Sequence, residues 1–108
     1  LLRAKHIKPW RDADNRERLD PYNGLLLSPA YDAAFDAGLV TFAEGGQLIV
    51  SARLTRSQVD RLGLDPAARV TGLQDEHHPY LAYHREEVFA LLIAAYLTGL
   101  IHPNAVQP

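Results

Sequence analysis

The stretch from Asp20 to Gly38 constrains this chain more than any other. Asp20-Pro21-Tyr22-Asn23 has the composition of a turn, and Leu25-Leu26-Leu27 is a short apolar strand broken by Ser28-Pro29. Proline suits the first position of a helix, where its missing N–H costs nothing, and a serine before it is a natural N-cap. Gly38 stands where a helix of about two turns would need a left-handed residue to close it. On that helix Asp32 and Asp36 are four residues apart, so both carboxylates project from one face. Upstream, His6 lies within Ala4-Lys5-His6-Ile7-Lys8-Pro9-Trp10. A histidine, an asparagine (Asn23) and two carboxylates at the mouth of a strand–helix unit mark a candidate site.

The flanking segments read more simply. Leu1 to Ile7 is the end of a strand, stopped at Pro9, which has no donor for a ladder. Arg11 to Asp20 is almost wholly polar and predicts a loop with one helical turn. Leu39-Val40-Thr41-Phe42 and Gln47-Leu48-Ile49-Val50-Ser51 flank Glu44-Gly45-Gly46, the pattern of a hairpin. Thr55 caps a surface helix with Val59 and Leu62 inward and Gly63 at its end. Leu64 to Asp75 is irregular, with a short strand near Arg69-Val70-Thr71. Pro79 opens a last helix whose Tyr80, Leu81, Tyr83, Val88, Leu91, Leu92, Ala95 and Tyr96 form an apolar stripe.

At 108 residues the chain has room for a single domain with one modest core. The lack of cysteine excludes disulfides and thiolate zinc sites within it. It also lacks methionine and begins Leu1-Leu2-Arg3, which reads as a fragment, residues 1–108, of a longer polypeptide without its N-terminal portion. The apolar run Phe89–Ile101 is about 13 residues, short of the roughly 20 a bilayer span requires. No signal peptide is visible, so no membrane role and a cytoplasmic setting are expected. A net charge of −2 gives no overall pull on a polyanion, yet residues 1–11 carry Arg3, Lys5, Lys8 and Arg11 and no acid. A local basic patch can steer a polyanion whatever the total.

The chemistry of phosphodiester hydrolysis gives these residues a common purpose. The reaction needs an activated water, for which a histidine titrating near neutrality is the usual base. It also needs charge neutralisation at the phosphate and help for the departing oxygen, both of which a divalent metal supplies. Carboxylates at i and i+4 make half of a metal shell and leave positions open to water and phosphate. An asparagine amide can pin the loop or the imidazole between them.

In their order and spacing, Ala4-Lys5-His6-Ile7-Lys8-Pro9-Trp10, Leu19-Asp20-Pro21-Tyr22-Asn23-Gly24-Leu25-Leu26-Leu27 and Tyr31-Asp32-Ala33-Ala34-Phe35-Asp36-Ala37-Gly38-Leu39 resemble the HNH endonucleases of the ββα-metal fold. The likeness is to the branch found in bacterial restriction-type and uncharacterised HNH proteins. It covers residues 1 to about 42, and Tyr80-Leu81-Ala82-Tyr83-His84-Arg85-Glu86 is similar to a C-terminal segment often seen there. The resemblance implies an α+β fold, a ββα-metal (HNH) motif followed by a β-hairpin and C-terminal helices. It gives His6 the role of general base and Asn23 that of constraining the metal loop. It places metal ligands at Asp32, where the third motif position is usually histidine, and at Asp36.

Two departures carry chemical consequences. Many members hold an Asp or His ligand directly before the base, where this chain has Lys5. Two carboxylates without an imidazole ligand make a hard site that favours Mg²⁺ or Mn²⁺ over Zn²⁺. Lys5 contacts a phosphate instead, or the site is impaired; the residues leave both open. The leading reading is a metal-dependent DNA endonuclease in which Arg3, Lys5, Lys8 and Arg11 meet the DNA backbone. The alternative is a nucleic-acid-binding or assembly module on the same scaffold with impaired catalysis. A third reading makes the Phe89–Ile101 stripe of the C-terminal helix a homodimer face. His77, His78, His84 and His102 are read as structural or exposed, and Trp10 as an edge aromatic beside the basic loop.

Overall fold

In the computed structural model, which describes residues 1–89, strand β1 (Arg3–His6) pairs antiparallel with β2 (Gly24–Leu27). The register sets Lys5 opposite Leu25 and His6 opposite Gly24. Leu25 and Leu27 are buried while Leu26 stays 66% exposed, the period-two pattern of a sheet covered on one face. A tight 3-10 turn (Trp10–Asp12) and helix α1 (Asn15–Leu19) fill the connection between the strands. Helix α2 (Pro29–Asp36) follows β2 and completes a ββα unit.

Both ends of α2 have local causes. Ser28 occupies the N-cap with an extended backbone, but its side chain makes no capping bond. Pro29, with φ already fixed near the helical value, starts the helix without one. At the other end Gly38 takes φ 75°, and its N–H donates to the Phe35 carbonyl at 3.2 Å. The Leu39 N–H reaches back to the Ala34 carbonyl at 2.9 Å. This is a Schellman closure, and it fixes the last turn, which carries Asp36.

The hairpin forms as expected, with β3 (Val40–Phe42) antiparallel to β4 (Leu48–Val50). The strand expected near Arg69–Thr71 shrinks to a single bridge, Gln47 to Arg69. Gly46 has φ 91°, and any Cβ there would run into the Val70 carbonyl. Helix α3 (Arg56–Arg61) opens on a reciprocal capping box: the Gln58 N–H donates to Thr55 Oγ1 at 3.1 Å and the Thr55 N–H to Gln58 Oε1 at 2.8 Å. Helix α4 (His78–Tyr83) starts one residue before Pro79 and continues into a wider, π-type turn at His84–Phe89. The stripe residues Leu91, Leu92, Ala95 and Tyr96, His102, and the dimer face beyond Phe89 lie outside the described residues. Among the described residues no helix is long and apolar enough to cross a membrane.

The core gathers Leu25 and Leu27 from β2, Phe35 from α2, Val40 and Phe42 from β3, and Leu81 from α4. Phe35 lies at its centre, 5.6 Å from the Phe42 ring and stacked on the His84 ring at 3.6 Å and 4°. His84 is buried and fully bonded. Nε2 lies 2.8 Å from the Phe35 carbonyl, which can only accept, so Nε2 carries the proton. Nδ1 then accepts from the Thr41 hydroxyl, also at 2.8 Å.

The β1–β2 connection hangs on one amide. Asn23 is 1% exposed, and its Oδ1 accepts from the Lys8 N–H at 2.7 Å. Its Nδ2 donates to the carbonyls of Glu17 at 3.2 Å and Lys8 at 3.4 Å. The end of β1, the end of α1 and the start of β2 are thereby tied at one point.

Two stability predictions come from these buried groups. Burial pushes the His84 imidazole down to about 4, although its bond to the Phe35 carbonyl works the other way. The unfolded chain takes up this proton near pH 6.5 and the folded chain only near 4. Stability should therefore fall as the pH drops through that window, by on the order of 3 kcal/mol from this group. Urea unfolding at pH 7, 5.5 and 4 should show the loss, and His84→Asn should flatten it. Asn23→Ala removes the three hydrogen bonds of this buried amide and should cost about 1–3 kcal/mol in the same assay.

Candidate active site

Residues of β1, α2 and the turn after Pro9 share one open depression of about 440 Å³. Its wall includes Lys5 and His6, Asp36 at the end of α2, and Trp10 and Arg11. The pleat of β1 sets Lys5 on the face shared with Leu25 and Leu27, toward α2, and His6 on the face shared with Gly24. His6 and Asp36 both line that depression and also a small niche over Phe35 and His84.

His6 is exposed, and its Nε2 lies 3.1 Å from the Arg18 carbonyl. A carbonyl only accepts, so Nε2 bears the proton and Nδ1 is the basic nitrogen. Among the described residues Nδ1 has no hydrogen-bond partner. Arg18 is held by its own side chain: Nε donates to the Trp10 carbonyl at 2.8 Å, and the guanidinium lies 3.6 Å from the centre of the Trp10 ring. The stack on Trp10 thus fixes the carbonyl that orients the imidazole.

The carboxylate pair forms as the spacing requires, but a cation of the chain's own lies against it. The Lys5 ammonium is 3.1 Å from Asp32 Oδ1 and 3.2 Å from Asp36 Oδ1. Asp32 is largely covered at 15% side-chain exposure, whereas Asp36 is 71% exposed. Buried Asp32 Oδ1 receives no well-directed hydrogen bond, so its contact with Lys5 is a close ion pair. Partial burial pulls the Lys5 ammonium down, but contact with both carboxylates outweighs this and holds its pKa above the ordinary lysine value.

Among the described residues no group of three His, Asp or Glu side chains is disposed to hold a metal ion. The donors present are two carboxylates, hard oxygen ligands of the kind Mg²⁺ or Mn²⁺ takes. Asp32 Oδ1, which lacks a well-directed hydrogen bond, and the ammonium seated between the pair both fit a positive charge at this place. Among the described residues no third donor of this kind joins the two carboxylates.

The basic residues divide sharply. Arg3 is exposed, and Arg11 is 83% exposed with only a loose contact to Asp12 at 3.6 Å. Lys8 is clasped by both oxygens of Glu17 at 3.0 and 3.1 Å and lies 4.8 Å from the centre of the Tyr83 ring. Lys5 and Lys8 thus neutralise acids of their own chain, while Arg3 and Arg11 face outward. Glu17 also closes a capping box with Asp14, which, ahead of its bond to Lys8, holds its carboxyl below the usual range. The Asp14-to-Glu17 spacing is a legible capping signal, and sequence reasoning passed over it.

Two tyrosines of α4 join the site's support without any local signal. The Tyr80 hydroxyl donates to Asp20 Oδ2 at 2.6 Å and that of Tyr83 to Asp12 Oδ2 at 2.9 Å. The Tyr80 bond, then the Tyr22 N–H, keeps the Asp20 carboxyl below its ordinary value. His77 accepts from the Gln74 N–H at 2.8 Å and meets the Tyr22 ring edge-on at 5.2 Å, which gives it a structural role.

No curated protein matches this chain. Residues 1–43, which contain the whole ββα unit and its hairpin strand β3, match a family described as HNH endonuclease. That segment carries a strand-end histidine, an asparagine tied into the loop and a pair of helical aspartates, and it is similar to the HNH endonuclease family.

Proposed function

We propose that this chain hydrolyses DNA phosphodiester bonds, with His6 as general base and Asp32 and Asp36 as the half-shell for one divalent cation, Mg²⁺ or Mn²⁺. The observation that carries this reading is the state of His6. Its Nε2–H is fixed on the Arg18 carbonyl, and a basic Nδ1 is left without a partner among the described residues, on a depression shared with Asp36. A base must be both oriented and unoccupied, and His6 is both.

In this scheme a water enters the depression beside His6. Nδ1 removes its proton as the water oxygen bonds to phosphorus, and the ester bond to the departing oxygen breaks. A divalent cation held by Asp32 and Asp36 would supply neutralisation of the charge on the phosphate and on that departing oxygen. Asn23 keeps the connection rigid, and the Arg18 carbonyl keeps the imidazole in one tautomer. Arg3 and Arg11 contact the phosphate backbone, which positions the duplex without reading its sequence. A DNA substrate agrees with a cytoplasmic setting.

The ion pair between Lys5 and the two acids supports a second reading, a DNA-binding or assembly module with impaired catalysis. A plasmid-nicking assay with Mg²⁺, Mn²⁺ and chelator controls separates the two. The nuclease reading expects chelator-sensitive nicking that His6→Ala lowers by about 100-fold or more. Asp36→Ala should raise the Mn²⁺ concentration needed for half-maximal rate. Unchanged nicking by His6→Ala would remove His6 from the mechanism. In a salt titration of duplex binding, Arg11→Ala should weaken affinity alike for unrelated sequences and lower the log–log slope by about 1.

A further inference from the structure

The Lys5 ammonium sits between Asp32 and Asp36 at 3.1 and 3.2 Å, the place a divalent cation would take on that pair. We infer that Lys5 is a displaceable internal counter-ion: the acid pair binds either its ammonium or a divalent metal, and Lys5 thereby sets the metal affinity of the chain. This rests on the reading of Asp32 and Asp36 as the metal half-shell.

Charge distinguishes displacement from permanent replacement. Two carboxylates and one ammonium leave the cluster at −1, and an approaching phosphodiester adds another negative charge. An ammonium locked in place would leave substrate facing net negative charge. A divalent cation brings the acid pair to neutrality and frees one positive charge on a flexible four-carbon stem. The local geometry permits exchange. The Lys5 side chain is 22% exposed, and Asp36, at 71%, is open to solvent. Asp32 Oδ1 has no directed hydrogen bond to lose. Lys5 also lines the same depression as His6, so a released ammonium stays beside an incoming phosphate.

Direct Mn²⁺ binding, followed by electron paramagnetic resonance without DNA, tests this inference. Lys5→Met keeps most of the side-chain volume and removes the charge; Lys5→Ser removes both, and Lys5→Arg keeps a cation. Circular dichroism at the binding temperature checks that each variant is folded. Lys5→Met and Lys5→Ser should bind Mn²⁺ about tenfold more tightly than wild type, the scale on which part-exposed ion pairs compete. Lys5→Arg should stay weak, and adding Asp36→Asn to Lys5→Met should abolish the gain. Equal or weaker binding by both neutral variants overturns competition and leaves the nuclease reading to the His6→Ala result. A gain that survives Asp36→Asn places the ion elsewhere and also overturns it. No Mn²⁺ binding by any variant overturns both the competition and the metal half-shell.

Discussion

A neutral imidazole in the core holds the two halves of this chain in one arrangement. His84 stacks on Phe35 at 3.6 Å and bonds on one side to the Phe35 carbonyl and on the other to the Thr41 hydroxyl. Both ring nitrogens are satisfied only in the uncharged tautomer, and burial enforces that state. The partner carbonyl belongs to the last turn of α2, the turn that Gly38 closes and that carries Asp36. A residue more than forty positions downstream thus fixes the helix end from which a carboxylate reaches the depression. The neighbouring Arg85 adds a bond from Nη1 to the Phe42 carbonyl at 2.8 Å, which anchors the same segment to β3. The segment after Pro79 therefore completes the ββα unit rather than decorating it.

Around the depression, charge is arranged by pairing rather than by accumulation. Lys8 with Glu17 and Lys5 with Asp32 and Asp36 are contacts near 3 Å, each combining a cation from the N-terminal basic run with acids that follow it. Tyrosine hydroxyls on α4 reach the remaining loop acids, Asp12 and Asp20. Part-exposed pairs of this kind contribute little stability singly. Their effect is positional: Tyr80, Tyr83 and Lys8 hold the long β1–β2 connection against α4, and Lys5 ties β1 to α2. Arg3 and Arg11 stay exposed, so fewer of the N-terminal basic residues are unpaired at the surface than their count suggests.

What could be read from the residues follows the range of the forces involved. The β1–β2–α2 order, the hairpin and the glycine stops at Gly38 and Gly63 are local matters of periodicity and φ, and they were legible. Ser28 was legible as a cap position but not in its missing bond, because a fixed proline can start a helix unaided. The expected strand near Val70 reduced to one bridge, held by the Val70 N–H on the Gly46 carbonyl and the Leu48 N–H on the Ala68 carbonyl. The tie Asn23 makes in the loop and the shared helix face of Asp32 and Asp36 were legible as local geometry. The Arg18 carbonyl on His6 was not, since backbone acceptors leave no trace in composition. Nor were Tyr80 and Tyr83 on Asp20 and Asp12, which are long-range contacts set only by tertiary packing.

Lys5 shows why a departure from a family pattern is best judged by where the atoms go. Read as a missing ligand, a lysine before the base removes one donor and adds repulsion toward a metal. In the fold, the strand register places it opposite Leu25 on the α2-facing side, so its stem is covered and its ammonium emerges between the two acids. Without that ammonium, Asp32 would be a largely covered carboxylate beside a second negative charge, an arrangement that costs free energy unless a cation is near. The same lysine that removes a donor thus stabilises the remaining pair in the absence of metal. On the proposal that the pair takes a divalent cation, the contact that holds Asp32 and Asp36 together is also the one that cation has to displace.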